Sequence, residues 1–207
     1  MTTAHGRATV GTEDLSRLTA IHTLGPTGTN LEKAAHHWFA ERDRPGAVVL
    51  HAEVEHGLDA MRFDGSEAIL ACAVYPRLHD LVFSNLHRLV MVDSFLLDTH
   101  HMVLAGRTAD TPLSAIVTHP APSCLVSARG PISYASSNSQ AAALCAAGRY
   151  DACVTTGPAA RAAGLTVVED FGPVPMVFTL HLGIPYGEAP RTAPPHRSRA
   201  AADRDEA

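Results

Sequence analysis

The chain has 207 residues, 46% of them hydrophobic and 18% charged, which is enough apolar content to bury a core in one domain or in two small lobes. Its formal net charge is -5, and no Lys/Arg cluster occurs outside the last stretch, so nucleic acid and anionic membrane are excluded as main partners and a small ligand is expected. No apolar run approaches the roughly 20 residues of a membrane span. The opening MTTAHGRATVGTEDL lacks the basic and apolar regions of a signal peptide, so the expected location is the cytoplasm.

Residues 1–17 are polar and aperiodic and are expected to form a flexible arm. A first strand over Ala20 to Leu24 runs into Gly25-Pro26-Thr27-Gly28-Thr29 and a helix from Asn30 to Arg42. The glycines allow a tight turn, Pro26 fixes one φ, and Thr29 with Glu32 has capping-box spacing. Unpaired amides and the positive dipole end at such a helix start favour a carboxylate or phosphate. Leu31, Ala34, Ala35, Trp38 and Phe39 give the helix one apolar face, which predicts core.

Ala47 to His51 reads as a strand, Glu53 to Arg62 as a helix and Ala68 to Val74 as a third strand. This β-α-β-α-β order predicts a largely parallel sheet whose ligand gathers at the carboxyl ends of the strands, where Gly25 and Tyr75 lie. Two apolar runs between Arg88 and Ala105, parted by Asp98-Thr99-His100-His101, predict a strand crossing into a second lobe. There the grammar repeats: strand Ala115 to Val117, then Thr118-His119-Pro120-Ala121-Pro122 opening a helix. Strand Ile132 to Tyr134 and then Ser137-Asn138-Ser139 precede the alanine-rich helix Gln140 to Ala147. Strand Asp151 to Thr155, a short helix Gly157 to Ala163 and strand Thr166 to Glu169 follow, and residues 173–183 read as a strand returning to the first lobe. Residues 188–207 carry no periodic apolar face and read as a disordered tail.

Cys72, Cys124, Cys145 and Cys153 form no CxxC pair and read as reduced, mostly buried thiols. Of the thirteen histidines, neither His36-His37 nor His100-His101 has i, i+4 spacing, and no HExxH occurs. No metal and no cofactor are expected.

Taken together, LGPTGTNLEKAA from Leu24, THPAP at 118–122, SNSQAAA at 137–143 and GLTVVEDF at 164–171 resemble, in order, the prephenate dehydratase catalytic domain. The resemblance spans nearly all of residues 20–185 and implies an α/β, two-lobed fold like that of periplasmic binding proteins, with a ligand cleft between the lobes. It sets the boundaries at 18–187 for the catalytic domain, with lobe 1 at about 18–98 and 172–187 and lobe 2 at about 99–171. Where dehydratases carry Thr-Arg-Phe, whose threonine is implicated in helping the ring hydroxyl leave, this chain has Met176-Val177-Phe178. Their Glu-Asn-Ser segment is replaced by Cys72, Ala73, Val74 and Tyr75, and the regulatory ACT domain that usually follows is not expected, nor is phenylalanine feedback by that route.

Pro175-Met176 and HPAP at 119–122 look like one branch of this superfamily, the prephenate decarboxylases of the bacilysin-pathway type. That branch implies loss of carbon dioxide without loss of the hydroxyl, leaving a dihydro-4-hydroxyphenylpyruvate for unusual amino acids and antibiotic biosynthesis. Such an enzyme must hold the pyruvyl carboxylate, leave the ring carboxylate in a dry pocket and give the hydroxyl no acid; Met176 and Val177 suit the last two demands. Gly25, Pro26, Thr27, Gly28 and Thr29 with Ser137, Asn138, Ser139 and His101 are the expected substrate contacts. His119 and Tyr75 are the expected catalytic residues beside Met176, and His101 is a further candidate proton donor. A prephenate dehydratase and a non-catalytic cytoplasmic ligand-binding protein stay open as alternatives, as does a homodimer.

Overall fold

The structure, a computed structural model, describes residues 15–186. The expected tail at 188–207 and most of the expected arm lie outside the described residues. The arm's last part is corrected: Leu15–Arg17 form a short 3-10 helix, and Leu18 just after it is buried. Arg44 fastens this start by donating to the carbonyls of Leu15, Ser16 and Leu18.

The first sheet contains β1 (Ala20–Leu24), β2 (Ala47–His51), β3 (Glu67–Cys72), β4 (Leu89–Asp98) and, last in the chain, β10 (Pro175–Gly183). Its order is β2-β1-β3-β10-β4. β1 is parallel to both β2 and β3, whereas β10 is antiparallel to β3 and β4. The second sheet contains β5 (Met102–Gly106), β6 (Ile116–Thr118), β7 (Ile132–Tyr134), β8 (Ala152–Thr156) and β9 (Thr166–Gly172), in the order β7-β6-β8-β5-β9. β6 is parallel to β7 and β8, and β5 is antiparallel to β8 and β9. The expected largely parallel sheets are therefore mixed, but only by one strand each: β10 in the first sheet and β5 in the second run against the other four.

Five helices cover the sheets: α1 (Asn30–Ala40), α2 (Val54–Ala60), α3 (Leu78–Phe83), α4 (Asn138–Ala146) and α5 (Gly157–Ala162). Successive residues of a strand point to opposite faces, and β3 shows the result. Ala68, Leu70 and Cys72 join the core under α1 with Trp38, Phe39, Phe178 and Leu180, while Ile69 packs on the other face with Val54, Leu58 and Leu81. The second sheet divides likewise, Val103 and Ala105 packing under α4 and α5 and Met102 and Leu104 packing beside Val126. The expected helix after Thr118 is instead a 3-10 helix, Ala121–Val126.

The crossing expected between Arg88 and Ala105 is made by two strands, β4 and β5, with Thr99 between them. Thr99 N–H donates to the Val174 carbonyl at 2.9 Å, and Val174 N–H donates to Thr99 Oγ1 at 2.9 Å, so the two passages between lobes are tied to each other. Lys33 Nζ donates to the carbonyls of Asp98 at 2.7 Å and Thr99 at 3.1 Å, holding α1 to the same junction.

Candidate functional site

A cleft of about 920 Å³ lies between the lobes at the carboxyl ends of the parallel strands. From the first lobe it is lined by Gly25, Pro26, Thr29, His51, Tyr75 and Met176, and from the second by Met102, His119, Cys124, Ser137 and Asn138. Eight of the twelve residues expected in the site thus meet in one space. Thr27, Gly28, Ser139 and His101 do not line it.

The turn before α1 is capped as its sequence predicts. Thr29 Oγ1 accepts from Glu32 N–H at 3.2 Å and donates to the Leu24 carbonyl at 3.0 Å. Two of the amides expected to meet an anion are already bonded: Gly28 N–H donates to Glu32 Oε2 at 2.5 Å and Gly25 N–H to the His51 carbonyl at 2.7 Å. Glu32 and Lys33 N–H already bond to Thr29, so a ligand is left the amides of Asn30 and Leu31 at the start of α1.

Across the cleft, Ser137 is the N-cap of α4, its hydroxyl accepting from Gln140 N–H at 3.1 Å. Asn138 Oδ1 and Ser139 Oγ are buried and have no hydrogen-bond partner among the described residues. A buried acceptor left without a partner costs a folded protein on the order of 1–3 kcal/mol.

Met176 packs partly buried against the first-lobe core, and Phe178 beside it also lines the cleft. Strand alternation turns Val177 the other way: it is 42% exposed and not on the cleft wall, so the role expected of it in drying the pocket is corrected. Cys124 is likewise corrected, being exposed and facing the cleft rather than buried.

The expected proton donors fare differently. Tyr75 donates its hydroxyl to Glu55 Oε2 at 2.6 Å, and burial together with Glu55 pushes its phenol above the ordinary range. His119 Nδ1 accepts from Ala121 N–H at 3.2 Å, and burial lowers its imidazole. His101 is displaced from the site altogether. Its Nδ1 lies 2.8 Å from Asp170 Oδ2 in a separate cavity of about 290 Å³ that it shares with Lys33 and Arg161.

Two residues of the cleft wall, Arg77 and His51, went unforeseen. Arg77, the one Arg or Lys on the cleft wall among the described residues, pairs with Glu53 at 2.7 Å and Glu55 at 3.0 Å. His51 ends β2, and its Nε2 lies 2.9 Å from His22 Nδ1; His22 Nε2 in turn lies 3.1 Å from Glu67 Oε2. The rule that placed Gly25 at a strand's carboxyl end would have found His51 as well. Among the described residues no group of three or more His, Cys, Asp or Glu is arranged to hold a metal, and no helix is long and apolar enough to cross a membrane.

No family model matches the chain. It is 30% identical over 187 residues to a prephenate decarboxylase of Bacillus subtilis (strain 168), a match that covers 82% of this chain and 89% of that protein. The chain belongs to the prephenate dehydratase/decarboxylase-like family. Its fold is shared with the prephenate dehydratase of Staphylococcus aureus subsp. aureus Mu50, at a TM-score of 0.57 and 16% identity, the match covering 79% of this chain and 66%, just under two thirds, of that structure. It is shared also with the periplasmic VFT2 domain of Bordetella pertussis BvgS, at a TM-score of 0.51 and 15% identity over 81% of each chain. The expected two-lobed α/β architecture with a cleft between the sheets therefore stands. The expected cytoplasmic location does not: this chain shares its fold with that periplasmic domain and with a periplasmic substrate-binding protein of Coxiella burnetii.

Proposed function

We propose that this chain decarboxylates prephenate without aromatising it, giving a dihydro-4-hydroxyphenylpyruvate for the biosynthesis of unusual amino acids. Family membership supports prephenate-directed lyase chemistry, either decarboxylation or dehydration. The choice between them rests on Met176, which lines the cleft at the position where a dehydratase resembling this chain has its threonine. A thioether holds no proton to give to a departing hydroxyl. Tyr75, on the third strand's side of the cleft, already gives its proton to Glu55.

Prephenate is a dianion, and the cleft offers its two carboxylates unequal receptions. The starts of α1 and α4 provide amide dipoles for one carboxylate. The wall around Leu24, Met102, Met176 and Phe178 provides only apolar contact for the other. A carboxylate deprived of water and of partners is the one that leaves.

The test is incubation with prephenate, with product masses compared against an enzyme-free control because prephenate aromatises spontaneously in acid. A product lighter than prephenate by carbon dioxide alone supports the reading. Enzyme-dependent phenylpyruvate overturns it in favour of dehydration, and saturable binding without turnover overturns it in favour of a ligand-binding protein.

A further inference from the structure

Decarboxylation of this kind needs a proton at the far carbon of the double bond next to the departing carboxylate, and two of the three expected donors are compromised. Tyr75 is bonded to Glu55 and His101 lies outside the cleft, whereas His119 accepts at Nδ1 from Ala121. The fold brings another group to the cleft wall that is wired to a largely buried carboxylate. Glu67 Oε2 lies 3.1 Å from His22 Nε2, and His22 Nδ1 lies 2.9 Å from His51 Nε2. His22 is 4% exposed, the two imidazole planes are within 12° of each other, and Glu67 is fixed by Arg62 through its backbone N–H at 2.7 Å and its guanidinium at 2.9 Å.

Resting on the decarboxylase reading, we propose that His51 is the catalytic acid of the cleft and that His22 and Glu67 are the positioning residues that supply its proton. With His22 Nε2–H donating to Glu67, the His22 Nδ1 position exchanges one proton with His51 Nε2. The far nitrogen of His51, Nδ1, has no hydrogen-bond partner among the described residues, and the ring lines the cleft. The opposite ring edge is closed off: a Cβ placed at Gly57 would stand 3.4 Å from His51 Cδ2 and 3.1 Å from His22 Cβ. Helix α2 therefore covers the relay at its one glycine.

The step balances within these groups. His51 Nδ1–H gives its proton to the far ring carbon, and the π pair of the adjacent double bond forms the new C–H bond. The pair of the breaking C–C bond becomes the new double bond, and carbon dioxide departs. His51 Nε2 takes the proton held on His22 Nδ1 in the same motion, which leaves both imidazoles neutral, and solvent restores the lost proton after product release. The groups facing His51 are His22 from β1, with Glu67 of β3 behind it, and His56 from α2. Burial, then His22, then His56 hold the His51 imidazole below its ordinary range.

The test begins with the wild-type chain, in which absence of carbon dioxide release from prephenate overturns both this relay and the function it serves. Given turnover, His51→Gln and His51→Asn are expected to lower kcat by about 100-fold or more while the prephenate Kd changes by less than about 3-fold. In D2O the wild type should label the new CHD centre in one configuration, and residual product from the variants should carry both. Glu67→Gln keeps the hydrogen-bond acceptor but removes the charge, so the fall of kcat with rising pH should move to lower pH. A His51 variant with kcat within about 3-fold of wild type, or with a single labelled configuration, overturns the relay, and so does a Glu67→Gln variant with an unchanged pH profile.

Discussion

Arg77 donates to Glu53 Oε2 across 2.7 Å at the mouth of the cleft, joining the N-cap residue of α3 to that of α2. The same guanidinium reaches Glu55 at 3.0 Å, so the single Arg or Lys charge on the cleft wall among the described residues faces two carboxylates before any substrate arrives. Glu53→Gln should release Arg77 toward a dianion and tighten prephenate binding by about 2- to 5-fold at low salt, with the gain fading as salt rises. Arg77→Gln should weaken binding by a similar factor. Titration calorimetry at two ionic strengths checks both, and a salt-independent response would place Arg77 outside substrate recognition.

The two serine and asparagine positions at the start of α4 should separate cleanly. Ser137 is the cap, so Ser137→Ala should cost about 1 kcal/mol of stability. Asn138 caps nothing and carries a buried orphan atom, so Asn138→Ala should leave stability within about 0.5 kcal/mol while weakening prephenate binding about 10-fold. Paired melting curves and binding isotherms decide this, and an Asn138 variant that melts early with full affinity would make the residue a scaffold element.

Trp38 Nε1 donates to Asp93 Oδ2 at 2.9 Å, and Arg42 both contacts that carboxylate and lies 4.0 Å over the Trp38 ring. Asp93→Ala would strand a buried indole N–H and a half-covered guanidinium. The expected cost is about 2–4 kcal/mol, measured by urea unfolding. Trp38 is the only tryptophan in the sequence, so its fluorescence reports the transition directly. A loss below about 1 kcal/mol would show that the cluster is tolerant of a missing carboxylate.

His181 is buried in β10, 3.0 Å from Thr179 Oγ1, and burial pushes its imidazole down to about 4. A folded-state value below the unfolded one means that the unfolded chain takes up protons first as pH falls. The stability that His181 supports is thus full above about 6.5 and is lost as pH drops toward 4, by on the order of 3 kcal/mol. His51, His100 and His119 are lowered as well and act in the same direction. His181→Asn should flatten the fall in urea midpoint between pH 6.5 and pH 4.5, values of about one linkage window. An unaltered slope would assign the acid sensitivity to the other three.

Most strands were readable because their local signal and their burial agree. Ala20–Leu24, Ala47–His51 and Ile132–Tyr134 have the bounds that their apolar runs predict. Helix α3 was not readable, since Arg77 at its N-cap makes no side-chain capping bond and its six residues hold only a short apolar pattern. The turn before α1 and the α4 cap announce themselves through glycine, threonine, serine and asparagine at fixed offsets. The link from Glu67 through His22 to His51 has no such local mark. It exists only because β1 lies parallel between β2 and β3, pairing His22 with Val49 on one side and Ile69 on the other. Val177 was misplaced for a related reason, as one step along a strand reverses the face and a motif read as consecutive letters hides that.

The position of β10 sets a timetable for synthesis. The second sheet uses residues 102–172 without interruption, so a ribosome has delivered all of it before β10 is made. The first sheet has already lost that race: its β3 and β4 do not touch as neighbours but wait for β10 to lie between them, bringing Phe178 and Leu180 into the core. A nascent chain therefore carries a finished second lobe and an open first lobe whose facing strand edges are unsatisfied until the last 9-residue strand emerges. Any stop before residue 175 leaves that gap permanently, which makes the final strand the quality check on everything translated before it.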